Sequence, residues 1–270
     1  MAWHRKLALI AALLSAAGGC AAWHVRRDTA GKRPAANTMK FDQLVVYSNT
    51  ALPSRHRLLE ELNAQRGTVN AKLGLPASDE LIHVYLFNEA DDLRAYVRAH
   101  WPDFPDRRAM FIETDTRLEV YAYWGDRVAE DLRHEVAHGY LHSVVPQIAL
   151  WLDEGLAEYF EVPRGGQGLN VPHVKQLSTE MADGWLPDLA RLERIQSAGS
   201  MDQRDYAEAW AWAHLLLETT PERLTLLRTY LADLHSGDSR EPMSSRLARV
   251  DPKASETLLH HLAGLASSLR

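Results

Sequence analysis

Leu132-Arg133-His134-Glu135-Val136-Ala137-His138, followed beyond Pro146 by Trp151-Leu152-Asp153-Glu154-Gly155-Leu156-Ala157-Glu158-Tyr159-Phe160-Glu161, decides how the second half of this chain folds. In a helix, residues four apart lie on one face, so His134 and His138 can hold one metal ion together, with Glu135 beside them. Pro146 breaks the helical pattern, and a second helix is predicted from about Ile148 to Glu161, stopped by Pro163 and the glycines after it. Eight residues separate His138 from Pro146 and eight more separate Pro146 from Glu154. Two helical arms of about 12 Å folded back at the proline return Glu154 to the level of His138. Two neutral imidazoles and a carboxylate suit Zn2+, with a fourth position left for water and Glu135 placed to take that water's proton.

Outward from this hairpin the two halves differ. On the N-terminal side, Phe41 to Tyr47 reads as a strand, Pro53 to Leu73 as a helix ended by Gly74 and Pro76, and Leu81 to Phe87 as a second strand. Asn88 or Asp91 is the candidate cap of a helix reaching about His100, after which Met110 to Ile112 and Leu118 to Tyr123 read as a hairpin. From Arg127 onward the signals are almost all helical, with helices near Asp205, from Pro221 to Leu234 and from about Ser255 to Leu269. The expectation is an α+β fold: a small mixed lobe over about 41–125, a mainly helical lobe over 126–270, and the metal site on the two-helix hairpin between them. Leu118, Val120, Ala122 and Trp124 alternate with Glu119, Tyr121 and Tyr123. One face of that strand is therefore buried; it is either an interior strand or an edge on which a peptide pairs by main-chain hydrogen bonds.

The first residues follow another logic. Arg5 and Lys6 precede a largely apolar stretch from Leu7 to Ala17, then Gly18-Gly19-Cys20, the order of an export signal too short for a stable membrane-spanning helix. Ala17-Gly18-Gly19-Cys20 resembles a bacterial lipobox, with Ala17 where leucine is usual, and the resemblance implies a signal peptide over 1–19 and a lipidated Cys20. Residues 20–40 would then tether a domain over 41–270 to the membrane of the cell envelope, facing the periplasm or the exterior. Cys20 is the only cysteine, so no disulfide is available. A formal charge of -6 with no basic tract beyond the N-terminal segment argues against a nucleic-acid partner.

The segment from Leu132 to Glu161 resembles the gluzincin metallopeptidases. In that clan an HExxH helix is followed by a helix whose glutamate, often in a phrase like Trp-Leu-Asn-Glu-Gly-Phe-Ala, completes the zinc site. Asp153 stands here for the asparagine, and the gap between the motifs is shorter than in the aminopeptidase branch, closer to small bacterial gluzincin-like domains of largely uncharacterised function. The resemblance implies that His134, His138 and Glu154 are zinc ligands and Glu135 the general base of peptide-bond hydrolysis. Metzincins are excluded, because Leu141 and Val144 occupy the places of their glycine and third histidine. Glu158, one turn past Glu154, would orient a ligand histidine or pair with a base, unless it lies on an acidic solvent face. His142, one turn past His138, either supports the ligands or simply packs. A downstream tyrosine or histidine stabilises the oxyanion in gluzincins; Tyr206 and His214 are the candidates, with His173 more remote and a core stripe as the competing reading. Two functions follow: a zinc-dependent hydrolase acting on a peptide or protein substrate, or a zinc-containing binding or assembly factor of the cell envelope for which hydrolysis is not essential.

Overall fold

The computed structural model describes residues 9–11, 31–53, 55–238 and 241–269. Cys20, with the expected cleavage before it and the expected tether up to residue 30, lies outside them. Among the described residues six strands form one sheet in the order β1-β5-β6-β4-β3-β2: β1 (Leu9–Ala11), β2 (Asn37–Phe41), β3 (Leu44–Ser48), β4 (Ile82–Phe87), β5 (Ala109–Thr114) and β6 (Arg117–Tyr123). β3, β4 and β6 run parallel, while β2, β5 and β1 join antiparallel at the two sides. The expected strand from Phe41 to Tyr47 is instead a hairpin. Asp42 takes a left-handed φ of 46° and turns β2 into β3, a conformation that aspartate tolerates better than most residues. Folded structure accordingly begins before the expected boundary at 41: β2 starts at Asn37, and Arg33 is already docked, bonded to Glu119 at 2.8 Å and lying over the Tyr85 ring at 4.7 Å.

Helix α1 (Arg57–Leu73) and α2 (Ala90–His100) cover opposite faces. Alternation along the strands sorts them: Ile82, Val84, Leu118, Val120 and Ala122 face the α1 side, whereas Tyr85, Phe87 and Tyr121 pack with Tyr96 of α2. Neither Asn88 nor Asp91 caps α2, whose N-cap is Glu89 without a side-chain bond; Asn88 accepts from Thr50 instead. β6 is an interior strand, hydrogen-bonded to β4 and β5, so the reading of it as a free edge is corrected: its hairpin partner β5 flanks it on that side, and β1 lies at the edge beyond β5. Trp124, read as part of its buried face, lies beyond the strand and is 41% exposed.

The helical half comprises α3 (Val128–His142), α4 (Leu150–Phe160), α5 (Val171–Ala182), the short α6 (Leu189–Leu192), α7 (Gln203–Glu218), α8 (Pro221–Ser236), α9 (Met243–Val250) and α10 (Ala254–Ser268). A reciprocal pair, Asp202 with Asp205, caps the start of α7. The two halves share a continuous core that runs from Leu59 and Val84 through Leu132 and Leu156 to Trp210. Helices α3 and α4 are held to α1 by polar ties as well. Gln65 donates to the carbonyls of Arg133 at 2.9 Å and Phe160 at 3.2 Å, and Tyr140 donates to Leu62 at 2.9 Å. No described helix is long and apolar enough to cross a membrane.

Candidate metal centre

The 3.6-residue period of α3 places His134 and His138 one turn apart, and α4 brings Glu154 against them. All three are buried, with 1%, 0% and 0% exposure. The two Nε2 atoms are 3.1 Å apart, and Glu154 Oε2 lies 3.6 Å from His134 Nε2 and 3.8 Å from His138 Nε2. Donors arranged tetrahedrally on zinc bonds of about 2.0–2.1 Å stand about 3.3 Å from one another, so the triangle is close to what such an ion requires.

The outer edges of the rings show why both Nε2 lone pairs point inward. His138 Nδ1 donates to Asp153 Oδ1 at 2.9 Å, and His134 Nδ1 donates to Glu161 Oε2 at 3.0 Å. With each Nδ1 donating outward, the two Nε2 atoms face one another, an arrangement that calls for a cation or a proton between them. Both oxygens of Glu154 and both oxygens of Glu135 are buried without a hydrogen-bond partner. Unpartnered carboxylates at this depth cost several kcal/mol unless a positive group completes them. The residues present therefore fit a metal ion.

Protonation reflects the same crowding. Burial drives the Glu135 carboxyl up to about 8 and that of Glu154 up to about 7. Burial, reinforced by its cationic neighbours, holds His138 down to about 4, so this ring is neutral and ready to ligate. Two other groups of potential ligands, His138-His142-Asp153 and His134-Glu158-Glu161, share residues with the first. Their atoms are already engaged in hydrogen bonds, however, whereas Glu154 is not.

Around the three donors stands a polar frame that is only partly visible in the sequence. Glu158 pairs with a base, as one expectation had it: His173 Nε2 donates to its Oε2 at 2.8 Å. The role of orienting a ligand falls to Glu161, which sits just past the end of α4, while Asn170 bridges Glu158 and Glu161 at 3.1 and 2.9 Å. Asp153, noticed in the sequence only as a departure from asparagine, holds His138 through one oxygen and His142 through the other at 2.9 Å. His142 thus reaches His138 only through Asp153 and touches no donor of the triangle.

Tyr206, near the start of α7, is 2% exposed and its hydroxyl has no partner. Burial and the charges of Glu154, Glu158 and Glu135 push its ionisation well upward, so it remains a phenol with a proton to donate beside the site. His214 is not brought to the centre. Two turns along α7, it bonds to His261 of α10 at 2.9 Å and packs against Tyr159, and burial beside His261 lowers it to about 4. His173 also contacts Trp210, which donates to the carbonyl of Gly168 at 2.9 Å and pins the α4–α5 loop.

A buried pair of imidazoles and a carboxylate, an unpartnered glutamate next to them and a buried phenol whose ionisation feels their charges define the class of site: a potential metal centre with an acid–base group at hand. The comparisons agree in extent, not in function. A family model described as "Protein of unknown function (DUF1570)" matches residues 128–234, from the first residue of α3 into α8, and so includes every residue of the centre and its frame except Glu113 on β5. No curated protein matches the chain.

Proposed function

We propose that the protein is a zinc-dependent hydrolase of peptide bonds, acting as a lipid-anchored protein of the bacterial cell envelope. The observation that carries the reading is the pairing of a complete donor triangle, His134-His138-Glu154, with a separate, unpartnered Glu135 carboxylate on the same helix turn. A purely structural zinc site is closed by four protein ligands and has no use for a free buried carboxylate. Held by His134, His138 and Glu154, zinc would supply a water with a pKa lowered toward about 7 and Lewis-acid polarisation of the scissile carbonyl. Glu135 accepts the proton of the attacking water and delivers it to the leaving nitrogen. Tyr206 donates its free hydroxyl proton to the oxygen that becomes negative.

The place of a substrate is suggested by β5. Its Phe111 ring stacks on His138 with centroids 5.9 Å apart, and its outer edge carries β1 in antiparallel register, with Ile10 opposite Phe111. β1 belongs to the stretch read as the export signal, and it also contacts the Ala198–Ser200 turn ahead of α7. Loss of that stretch on export leaves the β5 edge open to an extended peptide, which would pair through its main chain with little sequence preference. The near-complete burial of the donors in the intact chain favours a second reading, in which the metal serves stability and the protein works as an envelope assembly factor.

Glu135→Ala separates the two. Neither imidazole nor Glu154 is touched, so zinc and fold are retained, while hydrolysis in a broad peptide-cleavage screen falls by about 10²- to 10⁴-fold. A parent without hydrolysis in the screen would defeat the hydrolase reading, and full complementation of a deletion strain by the zinc-loaded, inactive variant would defeat the claim that hydrolysis is its essential work and support the assembly factor.

A further inference from the structure

We infer that Glu113 and His142 are positioning residues, forming with Asp153 a brace that runs from the end of strand β5 to the ring of His138. The inference rests on the reading that His134, His138 and Glu154 hold a metal. His142 Nδ1 lies 2.7 Å from Glu113 Oε2, and His142 Nε2 lies 2.9 Å from Asp153 Oδ2. The other Asp153 oxygen accepts from His138 Nδ1 at 2.9 Å. Ionised carboxylates only accept, so both nitrogens of His142 donate and the ring sits between two anions as a cation.

Those separations also decide against a second metal among His138, His142 and Asp153. Gaps of 2.7–2.9 Å each hold a shared proton, as charge-assisted hydrogen bonds do, whereas ligands of one zinc stand about 3.3 Å apart. The brace has two effects. It fixes His138 in the tautomer whose Nε2 lone pair faces the centre, and it ties that ring to β5, so that movement of this strand is felt at a ligand. Phe111 on the same strand reinforces the link, its ring 5.0 Å from that of His142. Asp153 is buried, and its two hydrogen bonds leave its carboxylate oriented from both sides. The Glu113 side chain is 28% exposed, so its replacement leaves no cavity and water can solvate the freed ring nitrogen.

The test measures zinc affinity, by chelator competition on the whole protein, for the parent, Glu113→Gln, His142→Ala, His142→Gln and the double variant Glu113→Gln/His142→Ala. His142→Ala should weaken zinc by about 10- to 100-fold. His142→Gln, which keeps one donor for Asp153, should recover part of that loss, and Glu113→Gln should show a smaller one. The double variant should be no weaker than His142→Ala alone, because the two residues act in series. The visible spectrum of the cobalt-substituted protein should shift in the His142 variants, while metal-free Glu113→Gln should stay folded with its melting temperature lowered by only a few degrees. A parent that binds zinc with Glu113→Gln and His142→Ala at full affinity overturns the brace alone. A second equivalent of zinc, lost in His142→Ala, replaces it with a second metal site. A parent that binds no zinc overturns the metal reading and the brace with it.

Discussion

Each ionisable side chain at the centre is held in the charge state its neighbours impose, and the metal-free protein should therefore depend on pH in a definite direction. Burial raises Glu135 to about 8, and it raises Glu154 and Glu161 to about 7, far above the value of about 4.3 that glutamate has in an unfolded chain. A carboxyl whose folded pKa is raised contributes stability that is complete below its unfolded pKa and is lost as pH climbs through the folded one. His134 and His142 are raised as well, burial opposing and their carboxylate partners prevailing, so their contributions fade in the same direction. Asp153 and Glu158 are lowered by His138 and His173, which outweigh burial, and their contributions are already complete above about pH 5. Between pH 6.5 and 9 the melting temperature of chelator-treated protein should fall by at least about 4 °C, a loss of order 1–2 kcal/mol for a chain of this size. Zinc should flatten the curve, since the cation takes the place of the protons. A melting temperature that is level or rising over this window in metal-free protein would contradict these charge states.

At the scale of elements, the centre depends on how closely α4 approaches α7. Gly155, next to Glu154, packs so tightly that a Cβ there would stand 2.4 Å from the carbonyl oxygen of Ala209. That neighbour is backbone and cannot rotate away. Gly139, next to His138, would meet only the side chain of Ile82, at 2.9 to 3.2 Å, which can adjust. Gly155→Ala is therefore expected to cost about 1–3 kcal/mol and to weaken zinc binding by parting Glu154 from α7, with Gly139→Ala the milder of the two. Thermal melts and zinc titrations of both variants check this, and an equal or reversed order would show that α4 is not fixed by that contact. The helix pair itself was legible, because the four-residue spacing of His134 and His138 and the arms about Pro146 are local facts. The β2–β3 turn was not. Asp42-Gln43 interrupts an apolar run without glycine or proline, and only the pairing of Met39 with Val46 reveals the hairpin. Glu161 was equally hidden, since it is only the last residue of the predicted helix, and the packing of α4 on α3 is what brings it to His134. His214 misled for the opposite reason: on α7 it shares the stripe of Trp210, and the core of α10 claims it.

Taken as a whole, the molecule is a mixed sheet lobe and a helical lobe joined through one core, with the potential metal donors at their junction and strand β5 beside them. Composition, charge and alternation were enough to anticipate that architecture. The frame of Asp153, Glu161, Asn170 and Glu113 depends on side chains drawn from four segments, and no single stretch of sequence shows it. The account stands or falls on the metal. Its most direct test is elemental analysis of the purified protein with zinc titration of the parent, Glu154→Gln and Glu158→Gln. The account predicts one zinc per parent chain, its loss in Glu154→Gln, and retention in Glu158→Gln with affinity reduced by no more than about 10- to 100-fold. A parent chain that neither carries nor binds zinc, or a Glu154→Gln variant that keeps it at full affinity, would contradict the claim that His134, His138 and Glu154 form the centre.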